Sequence, residues 1–114
     1  MSTLYYISLP DPGKARGSDP ALAFSAHGAD GFAEQLQAAL RTDGLFRRWM
    51  AGQDDPDAVD PLLGQSDPSA SVTGEQDDLH VDLLVTTSLP AAVLKHRLQL
   101  LAGDHWQLRD VRQA

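Results

Sequence analysis

The strongest pattern in the chain is an alternation of apolar and polar positions between Leu79 and Ser88. Side chains of a β-strand point alternately to its two faces, so one face collects Leu79, Val81, Leu83, Val85 and Thr87. A helical rotation of about 100° per residue would scatter the same side chains around a cylinder. The segment is therefore predicted to be a β-strand whose leucine and valine face lies on a core.

An amphipathic helix is predicted directly after this strand. Ser88 and Pro90 suit a helix start, and the run from Ala91 to Ala102 stops at Gly103. Its apolar stripe consists of Val93, Leu94, Leu98, Leu100 and Leu101, whereas Lys95, His96 and Gln99 point away. Arg97 falls within the stripe, so we expect it to pair with a carboxylate or to extend to the edge of the core.

The segment from His105 to Val111 is predicted to be a strand that returns to the sheet, with Trp106 and Leu108 on one face. A strand, a helix and a second strand joined by connections of this length favour a right-handed parallel crossover. Residues 79–111 are accordingly predicted to form one βαβ unit.

The first half of the chain predicts another strand and two helices. Thr3 to Leu9 alternates and ends at Pro10, which is typical of a strand. A helix is predicted from Asp30 or Gly31 to about Gly44, on a stripe made of Phe32, Leu36, Ala39 and Leu40. A shorter helix follows, on a stripe made of Leu45, Phe46, Trp49 and Met50.

Residues 20–27 allow two interpretations. Leu22, Phe24 and Ala26 alternate like a short strand, whereas Pro20 after Asp19 and the later Gly28 would suit a short helix. The alternation favours the strand.

A long loop rich in Asp and Pro separates the two halves, from Gln53 to Ser69, and Leu62 and Leu63 are expected to tuck it against the body. Residues 70–76 then predict the first arm of a hairpin that ends in the strand at 79–88. The resulting order predicts a single α+β domain over residues 1–114. We expect a two-layer sandwich with a ferredoxin-like βαββαβ core, an N-terminal loop or strand insertion and the long Asp/Pro-rich loop.

Three apolar side chains lie on the strand faces that point away from the predicted helices: Leu4, Tyr6 and Leu84. Val111 joins them if the strands pair regularly, and Trp106 would add to them if it is exposed. In a two-layer sandwich that sheet face is in contact with water, so an apolar cluster there predicts that a loop or a partner chain covers it. The long loop and a second copy of the chain are equally favoured as that cover.

The charge of the chain limits its partners. The formal net charge is −7, and the 16 acids comprise 14 Asp and two Glu, which a phosphate backbone would repel. We therefore expect no nucleic-acid partner. With no cysteine, no leader-like N-terminal segment and no long apolar run, the sequence predicts a cytoplasmic protein without a membrane partner.

Two groups of residues are candidates for chemistry. His80 and Asp82 share a strand face, so they are a possible polar pair for proton transfer. The turn from Ser25 to Gly31, which includes His27, Gly28 and Asp30, precedes a helix whose free N–H groups suit an anion. The four histidines match no metal-binding spacing, and no nucleotide motif is present, so neither a metal nor a cofactor is expected.

The sequence favours a non-enzymatic protein-interaction module that uses the sheet face, as a homodimer or with a protein partner that has a basic surface. A regulatory domain that binds a small ligand at the 25–31 turn is the alternative. An acid–base enzyme that uses His80 and Asp82 is less favoured, since it needs a deep pocket over the same face.

Overall fold

The computed structural model describes residues 2–113 as a mixed α+β structure with one four-stranded antiparallel sheet. The strands are β1 (Thr3–Leu9), β2 (Ser71–Asp77), β3 (His80–Thr87) and β4 (Gln107–Gln113), in the spatial order β2-β3-β1-β4. β1 is antiparallel to both β3 and β4. β3 and β4 therefore run parallel to each other, with β1 between them. This is the arrangement expected for two strands that a helix connects by a crossover.

Within residues 2–113, three α-helices are present: α1 (Ala29–Arg41), α2 (Gly44–Ala51) and α3 (Ala91–Ala102). The predicted apolar stripes of α1 and α3 are confirmed, because the side chains of Phe32, Leu36, Leu94 and Leu98 are almost fully buried. They pack on the sheet face that carries Tyr5, Ile7, Leu9, Val81, Leu83 and Val85. Every second residue of β1 and β3 thus lies in the core.

The prediction for Leu79 is wrong. Leu79 is 82% exposed, because β3 begins at His80 and Leu79 belongs to the two-residue turn that joins β2 to β3. Asp78, the other turn residue, has a positive φ of 57°. Asp tolerates this left-handed region better than most residues, and tight hairpin turns need such a φ.

The strand predicted over residues 20–27 is absent, and the helix considered in its place is absent as well. The alternating side chains of Leu22 and Phe24 are buried as the pattern requires. The backbone, however, turns at Asp19, whose carbonyl oxygen accepts from the N–H groups of Leu22 and Ala23. The N–H of Phe24 then donates to the carbonyl oxygen of Leu101, so the segment is fastened to the end of α3 instead of to the sheet.

Arg97 on α3 is fully buried. Among residues 2–113 it forms no ion pair with a carboxylate, although the charge of Asp43 acts on it from nearby, and it does not reach the solvent edge, contrary to both expectations. Its guanidinium donates to three backbone carbonyl oxygens: Ala39 in α1 at 3.2 Å, Gln65 in the long loop at 2.8 Å, and Leu63. It also lies 5.7 Å from the centre of the Phe46 ring. Arg97 therefore connects α1, α2, α3 and the loop at one buried point.

The loop from 53 to 69 lies on the helical layer, so the hypothesis that it covers the other sheet face is wrong. Its 3-10 turn at Pro61–Gly64 packs against α2 and α3. Leu63 is half-buried there, but Leu62 is 62% exposed and does not tuck in. Hydrogen bonds of its backbone hold the loop in this position. Arg97 donates to two of the loop's carbonyl oxygens, and the backbone N–H of Asp67 donates to the carbonyl oxygen of Leu40 at 2.8 Å.

The Asp67 carboxylate holds the end of the same loop against the end of β3. It accepts from the Thr87 hydroxyl at 2.8 Å and from the N–H groups of Ser88 and Ser69 at 3.0 and 2.9 Å. Burial acts to raise the pKa of Asp67, but these hydrogen bonds outweigh it, and the pKa lies below its ordinary value. The hydrogen bonds thus favour the deprotonated, charged form of the Asp67 carboxyl group over its protonated form.

β4 begins at Gln107 and contains an irregularity that changes which residues face the helices. Tyr6 pairs with Asp110, whereas the next residue, Ile7, pairs with Leu108, so Arg109 is an extra residue opposite β1. Beyond this bulge Val111 pairs with Tyr5 on the helical face. The prediction that Val111 joins Leu4 and Tyr6 on the other face is therefore wrong.

Candidate functional site

The sheet face opposite the helices, here called the open face, carries the three apolar residues that the sequence singled out. Leu4, Tyr6 and Leu84 are each half-buried. Tyr6 and Leu84 are directly opposed in the register of β1 and β3, and Leu4 is opposed to Thr86. Opposed side chains in an antiparallel pair are in contact distance, so Tyr6 and Leu84 form one apolar centre.

A groove of about 700 Å³ runs over the open face from this centre toward the turn between β2 and β3. Tyr6 and Leu84 line its apolar part. The polar part is lined by Ser8, Thr73, Glu75, Asp77, His80, Asp82 and Arg109. No residue of the 53–69 loop lines it, so this surface is accessible in the part of the chain that the structure describes.

The polar end of the groove is formed by the hairpin. His80, the first residue of β3, is opposed to Asp77, the last residue of β2, and Asp82 is opposed to Glu75. The His80 Nε2 atom lies 3.3 Å from an Asp82 oxygen and 3.7 Å from an Asp77 oxygen. Three carboxylates and one imidazole are thus concentrated at this end, and each of these side chains is in contact with water.

The predicted pair of His80 and Asp82 is brought together, but the surroundings do not complete a nucleophilic site. Ser8 lies in the same groove and is opposed to Asp82, not to His80. Among residues 2–113 no hydrogen bond joins the Ser8 hydroxyl to His80, and a base has to contact the hydroxyl that it activates. Asp77, Asp82 and His80 present hydrogen-bond acceptors to the groove, but no base contacts the Ser8 hydroxyl in the part of the chain that the structure describes.

Arg112 borders the apolar centre on the β4 side. Its guanidinium lies 5.5 Å from the centre of the Tyr6 ring and donates to Asp110 at 2.7 Å. This hydrogen bond lowers the pKa of Asp110 and raises that of Arg112. Arg112 therefore stays charged beside Tyr6, with its charge balanced by Asp110.

Residues 25–28 precede α1, and residues 29–31 already form its first turn. The N–H groups at the start of the 25–31 segment are occupied. The N–H groups of Ser25 and Ala26 donate to Gln35 Oε1 at 3.0 and 3.1 Å, and the Gln35 amide donates to the Ser25 hydroxyl. His27, Gly28 and Asp30 are exposed, and Gly31 approaches Ala26 closely enough to leave no room for a Cβ. A separate hollow of about 430 Å³ lies next to Ser25 and includes Arg48 on α2.

His96 is not the exposed side chain that the helical pattern predicted. It is half-buried, and its ring centroid lies 4.4 Å from that of Trp49. Trp49 belongs to α2 and packs against this side of α3. The His96 Nδ1 atom is buried and has no hydrogen-bond partner among residues 2–113. Burial, followed by the nearby charge of Arg97, lowers the pKa of His96 below 6.5.

Glu75, Asp77 and Arg109 also line the groove, although the sequence pattern did not single them out. The hairpin pattern was a usable signal for the two acids. A two-residue turn at 78–79 opposes 77 to 80 and 75 to 82, which places both acids beside the candidate pair. Arg109 could not be found in this way, because its position depends on the bulge in β4.

No helix within residues 2–113 is long and apolar enough to cross a membrane. Comparisons of the chain with protein-family models, with curated proteins and with solved structures returned no match.

Proposed function

We propose that this chain is a non-enzymatic protein-interaction module whose open face binds a protein partner with an apolar side chain set in a basic surface. The observation that carries the proposal is the uncovered groove, with Tyr6 and Leu84 side by side in its apolar part. Aromatic and aliphatic side chains that become buried when a partner binds usually form the core of a protein interface.

The charge around the apolar centre argues for a basic partner. Glu75, Asp77 and Asp82 line one end of the groove, and the whole chain has a formal net charge of −7. Complementary charge speeds encounter and selects the partner more than it adds affinity. A second copy of the chain brings the same acidic groove and the same net charge, so a homodimer through this face is the weaker hypothesis.

The ferredoxin-like architecture is part of this proposal. The order β1, α1, β2, β3, α3, β4 and the spatial order β2-β3-β1-β4 with antiparallel neighbours support it. In that interpretation α2 and the segment between β1 and α1 are additions to a βαββαβ core. The cytoplasmic location expected from the sequence also belongs to the proposal.

The test is a titration followed by backbone amide NMR. The probe is a short synthetic peptide with one leucine flanked by arginines, and the matched control peptide has glutamates in place of the arginines. We expect the basic peptide alone to shift amide signals of β1 and β3 around Tyr6 and Leu84, and we expect added salt to weaken binding. Leu84→Asp and Tyr6→Ala should abolish the shifts, whereas Leu62→Asp, at an exposed leucine on the helical side, should not.

Three results would overturn the proposal. Shifts that Leu84→Asp leaves unchanged in a folded protein would place binding elsewhere. Equal binding of the acidic peptide would remove the argument from charge. A concentration-dependent dimer in light scattering that Leu84→Asp dissociates would show that a second copy of the chain occupies the face.

A specific observation supports a second candidate function, the binding of a small anionic ligand near the 25–31 turn. The hollow next to Ser25 contains the guanidinium-bearing residue Arg48, although Gln35 already occupies the N–H groups of Ser25 and Ala26. A small carboxylate bound there should raise the melting temperature in proportion to its concentration. Arg48→Gln should remove that rise, and a melting temperature that does not respond to carboxylates would contradict this function.

A further inference from the structure

The turn between β2 and β3 collects a set of metal-ligating atoms that the spacing of the histidines does not reveal. Asp77 and His80 flank the two-residue turn and are opposed in the register, and Asp82 lies two residues further along the same face. One ligand atom from each of the three side chains lies within 4.8 Å of the other two. The three groups converge because the hairpin register puts them on one face.

The separations fit a bound ion. Zinc bonds to imidazole nitrogen and carboxylate oxygen are about 2.0–2.2 Å long, so neighbouring ligands of a tetrahedral site lie roughly 3.4 Å apart. The His80 Nε2 atom lies 3.3 Å from the Asp82 oxygen and 3.7 Å from the Asp77 oxygen. The oxygens of Asp77 and Asp82 lie within 4.8 Å of each other, so an ion would draw these two exposed carboxylates together while the imidazole stays in place.

This end of the groove also carries an excess of negative charge. Glu75 is directly opposed to Asp82, and like charges in opposed positions destabilise a strand pair. Among residues 2–113, the side chain that forms ion pairs with Asp77 and Asp82 is His80, which is a cation only when protonated. Arg109 lines the same groove and brings one positive charge against the three carboxylates of Glu75, Asp77 and Asp82. A bound dication would offset the excess negative charge.

We propose that Asp77, His80 and Asp82 bind a divalent transition-metal ion of the zinc type at the end of the groove. A mixed set of imidazole and carboxylate ligands suits zinc and its neighbours, whereas calcium and magnesium prefer oxygen ligands alone. Three protein ligands leave a coordination position open to water or to a donor group from outside the chain.

Isothermal titration calorimetry of the untagged full chain with zinc chloride, after dialysis against EDTA, tests the site. We expect one zinc ion per chain and much weaker binding of calcium. His80→Ala and Asp82→Asn should each weaken zinc binding by about tenfold or more, which is about 1.4 kcal/mol. His105→Ala should leave the affinity unchanged, since His105 is an exposed histidine outside the groove.

Zinc binding that His80→Ala leaves unchanged would overturn the proposal, and so would equal affinities for zinc and calcium, which would indicate nonspecific attraction to the acids. Failure of zinc to bind at millimolar concentration would do the same. The peptide titration is carried out in EDTA and without metal, so the two proposals fail or succeed separately.

Discussion

Arg97 offers the sharpest test of how the helical layer is held together. It is fully buried, and its guanidinium donates to backbone carbonyl oxygens of Ala39, Leu63 and Gln65. In Arg97→Met a chain of similar length keeps the packing but removes all three donors. The three backbone carbonyl oxygens then lose their donor, and the loop segment that carries Leu63 and Gln65 loses its attachment to α3.

The cost follows from the number of hydrogen bonds that are lost. A hydrogen bond to a charged group contributes about 1.5–3 kcal/mol, and the three are not additive because they share one guanidinium. Burying the Arg97 cation costs free energy, as its lowered pKa indicates. Arg97→Met removes that cost, which offsets part of the loss of the hydrogen bonds. We expect Arg97→Met to lower the free energy of unfolding by roughly 3 kcal/mol, a large share of the 5–15 kcal/mol that is typical of a domain.

Urea unfolding followed by tryptophan fluorescence measures this loss, because Trp49 lies next to the affected helices. Lys95→Met is the matched control, since Lys95 is exposed on the same helix, and it should change stability by less than about 0.5 kcal/mol. Hydrogen exchange should also rise around residues 61–65 in Arg97→Met alone. An Arg97→Met protein as stable as the original, with unchanged exchange in the loop, would refute the idea that Arg97 fastens the loop.

Three further predictions concern the described contacts. Because the pKa of His96 is lowered, its contribution to stability is complete above pH 6.5 and is lost as the pH falls below that value; His96→Leu should flatten this part of the stability profile in calorimetry, and His105→Ala should not. The pKa of Asp67 is also lowered from 3.8, so its contribution is present above about pH 3.8 and is lost in more acidic solution; Asp67→Asn should remove that loss, and an unchanged acid limb in urea titrations would contradict the hydrogen bonds to Thr87 and Ser88. A Cβ at Gly74 would lie 2.3 Å from the carbonyl oxygen of Ala29, so Gly74→Ala should cost about 1–3 kcal/mol by forcing α1 from β2; Gly52→Ala, with only an ordinary 3.5 Å contact, should be neutral, and equal melting temperatures of the two variants would contradict this packing.

The elements that local periodicity specifies were predictable from the sequence. The alternation of Val81, Leu83 and Val85 and the stripe of Leu94 and Leu98 follow from one rule each, the two faces of a strand and the turn of a helix. These rules do not indicate where an alternating segment begins to turn. Leu79 continues the pattern of β3, yet it belongs to the hairpin turn.

The remaining errors arise from interactions between distant parts of the chain. Arg97 looked like a defect in an apolar stripe because its acceptors, Leu63 and Gln65, lie more than thirty residues away and offer only backbone atoms. His96 looked exposed because the α3 pattern does not include Trp49 of α2. Local alternation cannot reveal the bulge at Arg109 either, because the bulge is a property of the pairing between β1 and β4.

For the candidate site, the sequence identified the apolar centre and the pair of His80 and Asp82, but not the shape that joins them. The groove is open because the 53–69 loop does not lie on that face. Hydrogen bonds from Arg97 to backbone oxygens of the loop hold it on the helical layer, and a pattern of side chains does not predict such bonds.

The position of the long loop also has a practical use. Residues 54–58 are exposed, and the short 3-10 turn Pro56–Ala58 makes only local hydrogen bonds. The chain contains no cysteine, so Asp57→Cys would create a unique thiol there. A dye, a spin label or a biosensor surface coupled to that thiol would leave the groove facing the solution, and binding could be measured without blocking the surface under study.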